Sequence, residues 1–154
     1  MIADKEITVV MTTYNRASIL DDTLKNMERT ARKNIKIDFV IVDNNSTDHT
    51  REIIDKWSKV LPITYLFESQ PGQNPARNKA LQEAQFGEII VFTDDDVVPN
   101  TNWFSAIAYS CEQWPEYSVF GGKIYPIWPN NVIIPKWAKE NSIQSFGFAV
   151  HNYR

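Results

Sequence analysis

Four times in the first 93 residues a short run of β-branched and other apolar side chains breaks into polar, turn-forming sequence. Residues 6–13 (EITVVMTT), 36–43 (KIDFVIVD), 63–67 (ITYLF) and 89–92 (IIVF) have the length and side-chain types of strands, and the last reads as a strand buried on both faces. Between these runs the period changes. Leu20, Leu24, Met27 and Ala31, then Ile53, Ile54, Trp57 and Val60, then Ala80, Leu81 and Ala84 recur at the spacing of a helix face. Ser18 followed three positions later by Asp21 resembles a helix start, and Gly87 is placed to stop the third helix. Strands and helices alternating in this way predict βαβαβαβ, a parallel sheet with right-handed crossovers and helices on both faces. Further on, Phe104, Ile107, Ala108 and Cys111 predict another helix, and residues 117–125 (YSVFGGKIY) a further strand interrupted by Gly121 and Gly122. From Pro126 the pattern decays, leaving a short helical turn at residues 135–140.

Composition narrows the class. With 154 residues and 43% hydrophobic side chains, a sizeable core is within reach of one domain's worth of chain. A net charge of −3 gives no general attraction to nucleic acid, and no run of five or more like charges appears, so any polyanion is bound locally. The single cysteine, Cys111, excludes an internal disulfide and a zinc ribbon. The first residues, MIADKEI, lack a basic leader, and no apolar run approaches a membrane span. The expectation is a soluble, cytoplasmic chain, with peripheral attachment to a membrane left open. Aromatic residues crowd the C-terminal third, where Trp128 and Trp137 read either as sugar-stacking surface or as cover for another part of a protein.

The predicted topology carries the polar segments to one edge. Residues 12–16 follow the first strand, 43–47 the second, 70–78 the third, and Asp94, Asp95 and Asp96 the fourth. Three adjacent carboxylates repel one another and require water, a cation or hydrogen-bond donors. In extended backbone Asp94 and Asp96 share one face and Asp95 the other, and two hard oxygen donors on one face suit Mg²⁺ or Mn²⁺. The plainer reading is an acidic turn capping the helix near Asn102. No GxGxxG follows the first strand and no GxxxxGK[ST] occurs, which disfavours a dinucleotide site and a P-loop. There remains a nucleotide site in which Asp43 meets a base, Arg77 supplies positive charge and a metal at the aspartates meets a diphosphate. Arg77 also reads as a partner for Glu83 or an aspartate, and His49 and His151 as surface residues without metal-ligand spacing.

TVVMTTYNR, FVIVDNNSTDHT, GQNPARNKAL and VFTDDDVVP, in this order over residues 7–126, resemble glycosyltransferase family 2, the nucleotide-diphospho-sugar transferases of the GT-A fold. The resemblance implies a three-layer α/β/α, Rossmann-like fold with a mainly parallel sheet. It implies a nucleotide-sugar-binding domain over 1–126 and the start of an irregular acceptor-side region over 127–154. By resemblance, Thr13 and Asn15 lie against the nucleoside, with Tyr14, Arg16 and Asn45 in the same donor-binding loops. Asp43 bonds the base, uracil in many members, and Arg77 the base or diphosphate. Asp94 and Asp95 approach the ribose and sugar, Asp96 is the principal Mn²⁺ or Mg²⁺ ligand with Asp94 beside it, and Gly121 and Gly122 run beside the donor sugar. The implied reaction moves a sugar, with inversion, from a nucleotide donor such as a UDP-sugar to the hydroxyl of a saccharide or lipid-linked acceptor. Family members place the catalytic base well downstream of the aspartates. Here only Glu112, Glu116 and Glu140 follow Asp96, and none is well placed, so the catalytic residue stays unassigned. The expectation is an apparently truncated donor-binding half that self-associates through an exposed apolar face. A non-catalytic nucleotide- or carbohydrate-binding module is the rival reading. A sugar nucleotidyltransferase is a third, although it calls for a glycine-rich basic loop where TTYNRAS stands.

Overall fold

In the computed structural model, which describes residues 5–32, 34–128 and 131–133, strands and helices alternate as the periodicity predicts. The order is β1 (Lys5–Thr13), α1 (Ala17–Arg29), β2 (Ile35–Asp43), α2 (Thr50–Trp57), β3 (Ile63–Phe67), α3 (Gln73–Glu83), β4 (Ile89–Thr93) and α4 (Trp103–Gln113). All strand pairs are parallel, in the order β3-β2-β1-β4, so each crossover carries a helix back over the sheet. Alternation along the central strands then fills two layers. Ile7, Val9 and Met11 of β1 and Ile37, Phe39 and Ile41 of β2 pack with Leu20, Leu24 and Met27 of α1, Ile54 of α2 and Phe104 of α4. Val10, Val40 and Val42 face the other way, against Ala76 and Ala80 of α3. The result is the expected α/β/α sandwich. The chain divides into two compact units, Met1–Pro115 and Glu116–Arg154, and the eight elements among the described residues lie in the first.

Several expectations are corrected. β4 is an edge strand rather than one buried on both faces: Ile90 and Phe92 are exposed. Leu81, read as part of an apolar helix face, is half exposed, because α3 meets the sheet through its two alanines. Gly87 does not stop that helix, which ends at Glu83. A Cβ on Gly87 would lie 2.6 Å from the Glu6 carbonyl oxygen, so the glycine permits a close backbone approach to β1. Ser18 and Asp21 do not start α1 either, since Asp21 accepts hydrogen bonds from Lys56 Nζ and Trp57 Nε1, both at 2.6 Å. Residues 117–125 form no strand beyond an isolated bridge at Ile124. Alternating β-formers report fitness for a pleated surface and do not supply the partner strand. Among the described residues nothing lies within 4 Å of a Cβ built on Gly121 or Gly122. The turn expected at 135–140, with Trp137, Glu140 and His151, falls outside the described residues.

Candidate functional site at the carboxyl edge of the sheet

Parallel register decides what meets at the strand ends. Thr13 of β1 stands opposite Asp43 of β2, and on its other side β1 pairs Met11 with Thr93 of β4. Asp43 and the three aspartates therefore emerge on the same edge, flanking the loop that leaves β1. A cavity of about 400 Å³ opens there. Thr12, Thr13, Tyr14 and Arg16 line it from the first loop, Asn44 from the second, Gln73 from the third and Asp94, Asp95 and Asp96 from the fourth. Asp43, Asn15, Asn45 and Arg77 do not line it. Arg77 lines a neighbouring depression with Asn74, Asn78, Leu81 and Phe92.

The aspartates are not equivalent. The strand ends at Thr93 and the chain turns, so Asp94 and Asp96 are exposed while Asp95 is only 4% exposed. The buried carboxylate accepts hydrogen bonds from the Thr13 hydroxyl at 2.7 Å and from Arg16 Nη1 at 2.9 Å. Its carbonyl oxygen accepts from the Thr23 hydroxyl of α1 at 2.7 Å. Asp95 is thus committed to the protein and fixes the turn from which its neighbours project. The same Arg16 nitrogen reaches Asp96 Oδ2 at 3.1 Å, and the Asp95 carboxylate, foremost through its hydrogen bond, holds the guanidinium still further into its charged form. Asp94 accepts from Gln73 Nε2 at 3.1 Å and stands 3.5 Å from Arg77 Nη2. Of the two alternatives for Arg77, the structure pairs it with an aspartate, while Glu83 goes to Lys79.

Asp43 is buried, with Oδ1 accepting from the Ser46 backbone N–H at 2.8 Å and Oδ2 lying 3.4 Å from the Tyr65 hydroxyl. Asn15 and Asn45 take positive φ, which asparagine tolerates better than most residues. The Asn15 side-chain oxygen accepts from the Thr47 N–H at 2.7 Å and so ties the first loop to the second. Asp48 extends the tie, accepting from the N–H of Ala17, the first residue of α1, and of Thr50, the first of α2, each at 3.0 Å. Burial pulls the Asp48 carboxyl upward, but the Thr50 hydroxyl and these N–H donors outweigh it and hold it below the usual carboxylate range.

Two residues of the site were not singled out by sequence reasoning. Asn44 is buried and ties the second loop to the third: its amide donates to the carbonyls of Glu68 at 3.0 Å and Gln70 at 2.7 Å, and its side-chain oxygen accepts from the Gly72 N–H at 2.7 Å. Gln73 holds Asp94. Asn44 sat inside a turn-forming cluster where each polar residue looks alike, and Gln73 inside a motif whose arginine drew attention. Gly72, at φ 125° and directly before α3, was the available signal that the third loop is sharply shaped.

The donor set suits a divalent cation as a partial site. Asp94 and Asp96 offer hard oxygens at the surface of the cavity, the number of protein carboxylates that Mg²⁺ or Mn²⁺ takes when phosphate oxygens and water complete the shell. Among the described residues no three His, Cys, Asp or Glu side chains converge as a closed metal cage.

Comparison with known proteins agrees with this fold. Validoxylamine A glucosyltransferase of Streptomyces hygroscopicus subsp. jinggangensis is 30% identical over 103 residues, 66% of this chain and 24% of that protein. Among solved structures, the mannosyltransferase PcManGT from Pyrobaculum calidifontis, in complex with GDP-Man and Mn²⁺, superposes with a TM-score of 0.58 at 30% identity, covering 70% of this chain and 32% of that one. S. aureus TarS superposes with a TM-score of 0.61 at 25% identity, covering 70% of this chain and 20% of that one. The chain thus spans a third or less of the length of these three relatives. The profile of glycosyl transferase family 2 matches residues 8–150, taking in every strand-end loop that builds the cavity, and the chain belongs to that family.

Proposed function

We propose that the carboxyl edge of the sheet binds a nucleotide-diphospho-sugar, a UDP-sugar in the first instance, with a divalent cation, as the donor half of an inverting glycosyl transfer. The observation that carries the reading is that Asp43 and the Asp94–Asp96 turn emerge on one sheet edge, on either side of the loop leaving β1, with the three aspartates lining the cavity that opens there. Asp43 offers a carboxylate to a base N–H, as uracil presents at N3. Thr13, Tyr14 and Asn15 form the floor for the nucleoside, Asn45 shapes the second loop, and Arg77 adds positive charge toward the diphosphate. Asp96, with Asp94, would hold Mn²⁺ or Mg²⁺, and the cation when bound neutralises charge on the leaving nucleoside diphosphate. Asp95 holds the turn and, with Asp94, lines the cavity where the ribose and sugar would lie. The acceptor hydroxyl, of a saccharide or lipid-linked sugar, attacks the anomeric carbon from the side opposite the diphosphate and gives its proton to a base. Glu112 and Glu116, the described acidic residues after Asp96, do not line the cavity, so the base is not assigned to this edge. The donor complex named for PcManGT, with GDP-Man and Mn²⁺, supports the nucleotide and cation and makes guanine the competing base.

Binding of UDP, GDP and CDP to the chain, with Mn²⁺ present, tests the reading. UDP is expected to bind tightest, and Asp43→Asn to erase the preference; equal binding of all three by the wild type contradicts it. The exposed Leu81, Ile90 and Phe92 along the β4 edge support self-association, which light scattering against concentration tests; a mass that stays monomeric contradicts it.

A further inference from the structure

Arg16 is placed oddly for a residue whose neighbours are to receive a cation. A single guanidinium nitrogen, Nη1, sits 2.9 Å from Asp95 Oδ1 and 3.1 Å from Asp96 Oδ2, so one positive charge already occupies Asp96, a carboxylate that a metal needs. The two ends of this clamp differ. Asp95 is buried, has the Thr13 hydroxyl as a second partner and is anchored through its carbonyl to Thr23. Asp96 has a side chain 52% exposed and meets Arg16 at the exposed rim. Letting go of Asp96 therefore leaves the turn held by Asp95, whereas letting go of Asp95 would strand a buried carboxylate.

Resting on the reading of Asp96 as a metal ligand, we propose that Arg16 is a positioning residue that serves as a built-in counter-cation. It neutralises the acidic turn when no metal is present, releases Asp96 when a divalent cation arrives, and keeps hold of Asp95 throughout. Metal affinity is then set by competition between guanidinium and cation. This gives the turn one backbone arrangement in both states, with no need to collapse or repel when the cation is absent.

Calorimetric titration of the chain with Mn²⁺ in the presence of UDP tests this, using wild type, Arg16→Gln, Arg16→Lys and Asp96→Asn. Arg16→Gln is expected to bind Mn²⁺ roughly two- to fivefold more tightly, the range a partly exposed ion pair commands. Arg16→Lys, which keeps the charge, is expected to stay near wild type. Unchanged or weaker binding by a folded Arg16→Gln overturns the proposal. Should that variant not fold, the Arg16 Nε resonance of the wild type decides, because it must shift on titration with diamagnetic Mg²⁺; a resonance unmoved at saturation overturns the idea equally. Failure of the underlying metal reading looks different: wild type and Asp96→Asn would then bind Mn²⁺ alike or not at all.

Discussion

Asn44 is the residue whose loss should be felt furthest from its own position. Its side chain makes three hydrogen bonds to the backbone of residues 68–72, and its own N–H donates to the Thr13 carbonyl at 2.9 Å. Asn44→Ala leaves two carbonyls and an N–H without partners, each worth about 1–3 kcal/mol where water cannot replace the bond. A loss of about 2–4 kcal/mol in urea unfolding is expected, together with weaker nucleotide binding, because the third loop is then untethered. A change below about 0.5 kcal/mol would mean that the loop holds itself. What was legible at this scale was charge. Asp94, Asp95 and Asp96 announced themselves because three adjacent carboxylates demand an explanation, and Asp43 because it ends an apolar run. That Asp95 is the inward member and Arg16 its partner depends on a turn that sequence alternation does not describe, since an extended strand was assumed past Thr93. Asn44 was invisible for the same reason, its role being defined by loops 24–28 residues away.

At the scale of elements, the helix periods and strand runs were readable because β1 and β2 are central and their apolar runs are long. The edges were not. β4 reads as fully buried because four apolar residues in a row fit either a central strand or an edge strand packed on one side. The start of α1 was misread because the acceptor for the first N–H groups of α1 and α2 is shared: Asp48 serves both from the loop between β2 and α2. Asp48→Ala is expected to cost about 1–2 kcal/mol, a cap's worth at each helix, read from the thermal or urea midpoint. Asp48 and Asp21 are both held below the usual carboxylate range, the latter foremost by its hydrogen bond from Lys56 and then by the Trp57 indole. A depressed folded pKa gives stability that is present above the unfolded value of about 3.9 and is lost as pH falls through the folded one. Acid titration of stability below about pH 4 should therefore flatten in an Asp21→Asn, Asp48→Asn double variant, and a slope identical to wild type would refute the link. Gly87 makes a contrast with Gly121. Gly87→Ala drives a methyl group into the Glu6 backbone and is expected to cost about 1–3 kcal/mol, while Gly121→Ala, in open space, should leave the unfolding midpoint unchanged.

For the whole molecule, the sheet is the device that turns sequence order into a site. Four loops separated by tens of residues reach one edge only because every strand pair is parallel, and the crossovers return each chain to the same starting side. The apolar cores on either face hold the strands, so the loops are free to carry polar and strained residues such as Asn15, Asn45 and Gly72. Deleting core volume should therefore harm folding without altering which nucleotide is chosen. Phe39→Ala is expected to cost about 3–5 kcal/mol, whereas Asp43→Ala should change selectivity at modest cost in stability. The central claim is that Asp43 and Asp96, brought out on either side of β1, serve a single bound molecule. Calorimetric binding of UDP with and without Mn²⁺ tests it most directly. Mn²⁺ is expected to tighten UDP binding by about tenfold or more in the wild type, with that gain gone in Asp96→Ala and UDP binding itself lost in Asp43→Ala. UDP affinity indifferent to Mn²⁺, or retained unchanged in both variants, would contradict the account.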